Sequence, residues 1–267
     1  MALDGYSDTL EALYEREVNF VNDIAPKLSM ELSYFRWAGT NPEKRQAIVI
    51  MDDLTKKGYK SLNLKGNTNL RGGTWNTKAY PWLTPNYEEI MIGLTTNWVK
   101  VVLGSDRPLV PDIIKNKERT VNAMKRHFST KNPKFLCVVH GDPHPGNTFI
   151  DPDDRHRFLD WQTVHIGSAF HDLVYFIVGA LSIDDRRKHE FSILDYYLER
   201  LAELGGPTLT RKDNEVMKEY KKSIMAGMGW ILTPYAMQRK ETVVAMVEHY
   251  SAALVDHDVI ELVESLP

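Results

Sequence analysis

Apolar positions along this chain recur with two periods, and the period changes several times. Between Asp8 and Ile24, the residues Leu10, Leu13, Phe20, Val21 and Ile24 favour one face at helical spacing. With Asp8 placed to cap the start and Pro26 just past the end, the pattern predicts an amphipathic helix. Two short strands are expected next, a loosely alternating one from Leu32 to Trp37 and a continuous apolar one from Ala47 to Met51. Asn41-Pro42-Glu43-Lys44 between them reads as a turn. A helix and a two-stranded hairpin bury little by themselves, so this stretch is one piece of a lobe. From Thr55 to Pro85 the chain is punctuated by Gly58, Gly66, Gly72-Gly73, Pro81 and Pro85, which predicts a long linker or functional loop.

Helical patterning resumes from Asn86 to Leu103 and from Lys115 to Phe128. The basic side chains of the second stretch, Lys115, Lys117, Arg119, Lys125 and Arg126, read as a solvated face. Short strands are expected at Leu136–Val139, Thr148–Ile150 and Arg157–Leu159, separated by tight polar loops. Phe170 to Leu181 is apolar nearly all round, as in a helix at the centre of a core. Asp184 to Leu204 is a long amphipathic helix stopped by Gly205-Gly206, and two or three more helices fill Arg211 to Leu266. The expected class is α+β, divided along the chain into a small mixed piece (1–54), a linker (55–85) and a mostly helical lobe (86–267).

Composition narrows the function classes. The 267 residues are 43% hydrophobic and 26% charged, inside the range of folded globular chains. A net charge of -3 argues against broad nucleic-acid binding, which needs a strongly positive surface. The one cysteine, Cys137, excludes an internal disulfide and reads as a small core residue within Phe135-Leu136-Cys137-Val138-Val139. Met1 to Tyr6 has no apolar core, and no apolar run reaches the roughly 20 residues that span a bilayer. The expectation is a cytoplasmic protein, monomeric by default, that binds neither membrane nor nucleic acid.

Candidate chemistry is concentrated in His140-Gly141-Asp142-Pro143-His144-Pro145-Gly146-Asn147, a loop stiffened by two prolines and bracketed by apolar strands. A second acid, Asp160, ends the following strand in Phe158-Leu159-Asp160-Trp161. Phosphoryl transfer needs one carboxylate at the acceptor hydroxyl, and a second carboxylate and an amide oxygen on magnesium. Asp142 and Asn147 lie five positions apart, the interval of the kinase catalytic loop, and Asp160 follows thirteen later after one hairpin. The same loop also spells H-x-D-x-H through His140, Asp142 and His144, which suits a divalent-metal hydrolase. Such a site needs further ligands from later loops, where His165 and His171 are the nearby candidates.

The segments VVHGDPHPGNTFID and FLDWQTVHIGSAFHDLVYFI resemble the aminoglycoside phosphotransferase and choline-kinase-like superfamily, most of all its ecdysteroid-kinase-like (CHK kinase-like) branch. The resemblance implies a protein-kinase-like fold of two lobes, ATP and Mg²⁺ as cofactors, and a small-molecule hydroxyl as acceptor. It implies Asp142 as catalytic base, Asn147 and Asp160 as magnesium ligands, and His140 and Asp172 as supports of the loop. Glu17 matches the helix glutamate that pairs with a phosphate-binding lysine, and Met51, Asp52, Asp53 and Leu54 fall at the adenine hinge. His144 is placed to shape the loop or border the acceptor. Trp161 is a second candidate for the acceptor border, with packing beneath the metal loop as its plainer role. Trp75, Tyr80 and Trp82 suit either acceptor stacking or loop anchoring, and Met225, Met228, Trp230, Tyr235 and Met237 suit core packing or an acceptor cavity.

One departure from the family pattern stands out. Fewer than a dozen residues precede the Glu17 helix, too few for three strands of about 5–6 residues each, and no lysine occurs before Lys27. The expected N-lobe is therefore incomplete, without the glycine-rich hairpin and lysine strand that clamp the phosphates. The two functional expectations are ATP-dependent phosphorylation of a small molecule, or a catalytically impaired binding module of the same fold.

Overall fold

A computed structural model describes residues 7–28, 32, 35–44, 46–54, 60–61, 81–83, 87–153 and 155–267. Backbone contacts gather the chain into two units. The first comprises Met1–Thr68, Trp75–Pro85 and Val138–Ile166, and the second comprises Asn69–Thr74, Asn86–Cys137 and Gly167–Pro267. This grouping differs from the sequential division at residues 54 and 85, because the segment Val138–Ile166 groups with the amino-terminal elements.

In the first unit, helix α1 (Ser7–Asn19) runs into a wider turn at Phe20–Ile24 and a short tight one at Ala25–Lys27. The α-helix thus ends at Asn19, five residues before the expected Ile24, and Pro26, which lacks an N–H, lies in the last tight turn. Val18, Phe20, Val21 and Ile24 are buried. Strands β1 (Phe35–Asn41) and β2 (Gln46–Met51) form an antiparallel hairpin, with Trp37 opposite Ile50 and Gly39 opposite Ile48. The first strand starts later than Leu32 and extends past Trp37, because pairing with β2 continues through Asn41. Only Ala47, Val49 and Met51 of the apolar β2 run turn inward, and α1 packs on this hairpin. Strand β3 (Lys60–Ser61) pairs with β5 (Thr148–Ile150), which pairs antiparallel with β6 (His156–Phe158). Strand β4 (Leu136–Val139) pairs with β7 (His165–Ser168), an element the apolar pattern does not announce.

The second unit is helical. The helix expected from Asn86 to Leu103 is broken into α2 (Tyr87–Leu94) and α3 (Trp98–Val101). At the break the Thr95 and Thr96 hydroxyls donate to the Ile92 and Gly93 carbonyls, at 2.6 and 2.8 Å, and so compete with the helical ladder. A short α4 (Asp112–Lys115) precedes α5 (Lys117–Ser129), which starts two residues after the expected Lys115 because the Asn116 side chain accepts the Arg119 N–H as an N-cap. Then follow α6 (His171–Ala180), α7 (Ile183–Glu203), α8 (Asn214–Ser223), α9 (Met228–Leu232), α10 (Lys240–Asp256) and α11 (Val259–Glu264). Phe170, Val174, Tyr220, Ile231 and Tyr250 lie in one apolar core with Met225, Met228 and Trp230, whereas Met237 is exposed. Among the described residues no helix is long and apolar enough to cross a membrane.

Candidate functional site

The loop after β4 takes its shape from a few local bonds. Gly141 has φ of +91°, a conformation that a side chain resists. The Asp142 carbonyl accepts two bonds, from the His144 N–H at 2.9 Å and from Asn147 Nδ2 at 2.9 Å. Asn147 N–H donates to the His144 carbonyl at 2.8 Å, and Gly146 N–H donates to His144 Nδ1 at 3.0 Å. Prolines 143 and 145, with φ fixed, hold this turn open between the bonds. Asn147 commits its amide nitrogen to the Asp142 carbonyl, so its Oδ1 is the atom that would serve as a donor for a hard cation.

The β5–β6 hairpin then returns the chain to the loop, where Leu159 N–H donates to the Asn147 carbonyl at 2.9 Å. Asp160 follows directly, in the left-handed region at φ 62° and ψ 67°. Burial and the charge of Asp142 both push the Asp160 carboxyl above the ordinary carboxylate range. Two acids thus share one electrostatic environment, and a divalent cation would relieve the repulsion. Asp142 keeps 26% of its side-chain surface and is open to a solute; His144 Nε2 lies 3.8 Å from its Oδ2. Gln162 Nε2 donates to Asp160 Oδ2 at 3.2 Å.

His140 is fully buried and both ring nitrogens are engaged. Nε2 meets the Leu159 carbonyl at 2.8 Å, and Nδ1 accepts the Asp142 N–H at 3.3 Å, a pattern that fits the neutral ring with its proton on Nε2. With neither nitrogen left for a metal, the H-x-D-x-H hydrolase reading loses its first ligand. Among the described residues, no group of three or more His, Cys, Asp or Glu is arranged to hold a metal ion. Asp160 and Asn147 supply two oxygen donors, which fits a cation that shares its remaining positions with phosphate and water.

Glu17 lies on α1, and its carboxylate accepts the Trp161 N–H at 3.3 Å. Burial and the charge of Asp160 raise its pKa, partly offset by that N–H. Trp161 is 2% exposed, stacked on Phe20 with centroids 4.1 Å apart and planes 8° from parallel, and 4.5 Å from the His140 ring. This burial corresponds to the packing role and leaves no Trp161 face to border an acceptor. At the hinge stretch, Met51 is half-buried, Asp53 exposed and Leu54 buried, while Asp52 accepts from Arg36 Nη2 at 2.8 Å. Asp172 belongs to the second unit, buried in the first turn of α6. Cys137 is half-buried, and burial together with the charge of Asp172 pushes its thiol up to about 12, too high for a nucleophile. Trp82 is half-buried; Trp75 and Tyr80 fall outside the described residues.

Sequence reasoning missed the residues that fasten this frame. Arg157 Nη2 donates to Asp151 Oδ2 at 2.9 Å inside the β5–β6 hairpin, both side chains being almost wholly buried. Thr163 Oγ1 donates to the His140 carbonyl at 2.9 Å. The only advance signal was an arginine on an otherwise apolar short strand.

A model of the ecdysteroid kinase-like family matches residues 68–206, just over half of the chain. The match takes in Asp142, Asn147, Asp160 and Asp172, and not Glu17 or Met51–Leu54. Two crystal structures are similar. One is a choline/ethanolamine kinase family protein from Mesorhizobium loti (11% identity, 94% of this chain and 98% of that one, TM-score 0.43). The other is the macrolide 2′-phosphotransferase MphH from Brachybacterium faecium, without ligand (16% identity, 92% of this chain and 80% of that one, TM-score 0.43). No curated protein matches the chain.

Proposed function

The chain belongs to the ecdysteroid kinase-like family, and on that ground and the geometry of its loop we propose that it transfers the γ-phosphoryl group of ATP to a hydroxyl of a small molecule. The observation that carries the reading is the joint placement of Asp142, Asn147 and Asp160. The amide of Asn147 is tied to the Asp142 carbonyl, and the Asp142 charge is felt by Asp160. Asp142 orients the acceptor hydroxyl and takes its proton at a carboxylate oxygen as the new O–P bond forms and the bond from the γ-phosphorus to the bridging oxygen breaks, that oxygen leaving with ADP. Asn147 Oδ1 and the Asp160 carboxylate would hold Mg²⁺, which when bound supplies charge neutralisation at the phosphate oxygens. His140, with both nitrogens occupied, holds the loop and moves no proton. His144, beside Asp142 and partly open, borders the acceptor.

The test is a set of two variants and one ligand. Mg·ATP is expected to raise the unfolding temperature of the wild-type chain, and Asp160→Asn to remove that rise. Asp142→Asn is expected to keep the rise and to lose phosphoryl transfer to a panel of hydroxyl compounds by at least about 10²-fold. Asp142→Asn turning over at the wild-type rate would refute its role. A rise from Mg·ATP with no transfer by the wild type would leave a nucleotide-binding module.

A further inference from the structure

Asp160 is a non-glycine residue held in the left-handed region, where an L-residue pays roughly 1–2 kcal/mol in steric strain. Such a conformation persists only when its surroundings determine it. The two peptide groups that flank its Cα are each bonded to a side chain from elsewhere in the unit. On one side the Leu159 carbonyl meets His140 Nε2 at 2.8 Å. On the other side the Trp161 N–H donates to Glu17 Oε1 at 3.3 Å, across 144 positions of sequence. Rotation of residue 160 into an ordinary conformation would turn at least one of these groups away from its partner. The Trp161 ring is clasped in the same way, stacked on Phe20 three positions along from Glu17.

We infer that Glu17 is a positioning residue for Asp160: its carboxylate acts through the Trp161 N–H to hold the Asp160 carboxylate where it takes a cation. Together with His140 it forms a clamp whose two arms come from the loop before β5 and from α1. The seating of α1 thereby sets the cation affinity of the site. This inference rests on the proposed metal-binding role of Asp160, but it assigns Glu17 a task that pairing with a lysine does not contain. Glutamine at position 17 keeps an oxygen able to accept the Trp161 N–H and discards the charge, whereas alanine discards both.

The test is Mn²⁺ binding, followed by its electron paramagnetic resonance signal, on the wild type and on Glu17→Gln, Glu17→Ala and Asp160→Asn. Thermal unfolding without metal checks that each variant is folded. The expected result is that Glu17→Ala weakens Mn²⁺ binding by about 10- to 100-fold, as loss of a residue supporting a metal ligand does, while Glu17→Gln stays within about threefold of wild type. Equal losses in Glu17→Gln and Glu17→Ala would overturn the inference, because the charge and not the accepted N–H would then be what matters. Wild-type affinity in Glu17→Ala would overturn it as well. If Asp160→Asn binds Mn²⁺ as tightly as wild type, the metal-binding reading of the site fails, and the inference fails with it for a distinguishable reason.

Discussion

A single methyl group on Gly141 measures how tightly the loop from His140 to Asn147 is fitted. A Cβ built at this position overlaps the Thr163 carbonyl oxygen and lies 3.0 Å from Thr163 Oγ1 and 3.1 Å from His165 Nδ1. The overlapped atom is backbone in a tight turn entering β7, so it cannot swing aside as a flexible side chain would. Gly205 supplies the control. It has φ of +86°, close to the +91° of Gly141, but nothing lies within 4 Å of its built Cβ. Gly205→Ala therefore carries the conformational strain alone, about 1 kcal/mol. Gly141→Ala adds to that strain an overpacking penalty, for a total of about 3 kcal/mol. In a chain of this size the two substitutions correspond to falls in unfolding temperature of roughly 2–4 °C and 6–12 °C. Differential scanning calorimetry separates them, and a phosphoryl-transfer assay adds a second readout, since displacement at residue 141 carries Asp142 with it. If both variants unfold at the same temperature, the fit of this loop against Thr163 is not what selects glycine at 141.

Two further outcomes concern the helical unit. Tyr220 is fully buried, and its hydroxyl has no hydrogen-bond partner among the described residues. Tyr220→Phe is accordingly expected to leave stability unchanged or to raise it by up to about 1 kcal/mol; a loss larger than that in urea denaturation would contradict the assignment. Glu190 is buried beside Arg186, at 2.8 Å, and His257, at 3.0 Å. Burial alone would raise its pKa, but the bonds from His257 and Arg186 outweigh it and hold the carboxyl below its ordinary 4.5. A depressed carboxyl contributes stability that is present above 4.5 and lost as pH falls through its folded value. Glu190→Gln should therefore be less stable at neutral pH and should lose less on going from about pH 5 to pH 3 than wild type. An acid limb as steep as the wild-type one would show that other carboxyls dominate it.

The sequence was most informative where structure is made by neighbours. The turn at Pro42–Lys44, the strand Thr148–Ile150 and the helix Ile183–Glu203 lie within a few residues of their expected places. Each is set by local pattern, by Pro and Asn at the turn, by tight polar loops on either side of the strand, and by Ser182 and Gly205 at the helix ends. The loop from His140 to Asn147 was legible for the same reason, since the bonds that close its turn reach across two to five positions, while Leu159 and Thr163 brace it from further along the chain. Even so, local chemistry was underestimated at Thr95, where a side chain competes with the backbone and divides a helix that periodicity reads as continuous.

What periodicity and composition determined by themselves was the class of the fold, the helical character of the carboxy-terminal half, and the cluster of acid, amide and imidazole that makes phosphoryl transfer the leading chemistry. Tertiary structure alone decided which segments share a unit, that β4 finds its partner in the unpatterned His165–Ser168, and that Trp161 is sealed between Phe20 and His140. It also gave Glu17 its partner, a backbone N–H 144 positions away. The physical reason is common to all of these. A periodic pattern records which face of an element avoids water, but a backbone N–H or an aromatic ring looks the same whatever it meets. The partner is chosen only when distant segments compete for the same buried space.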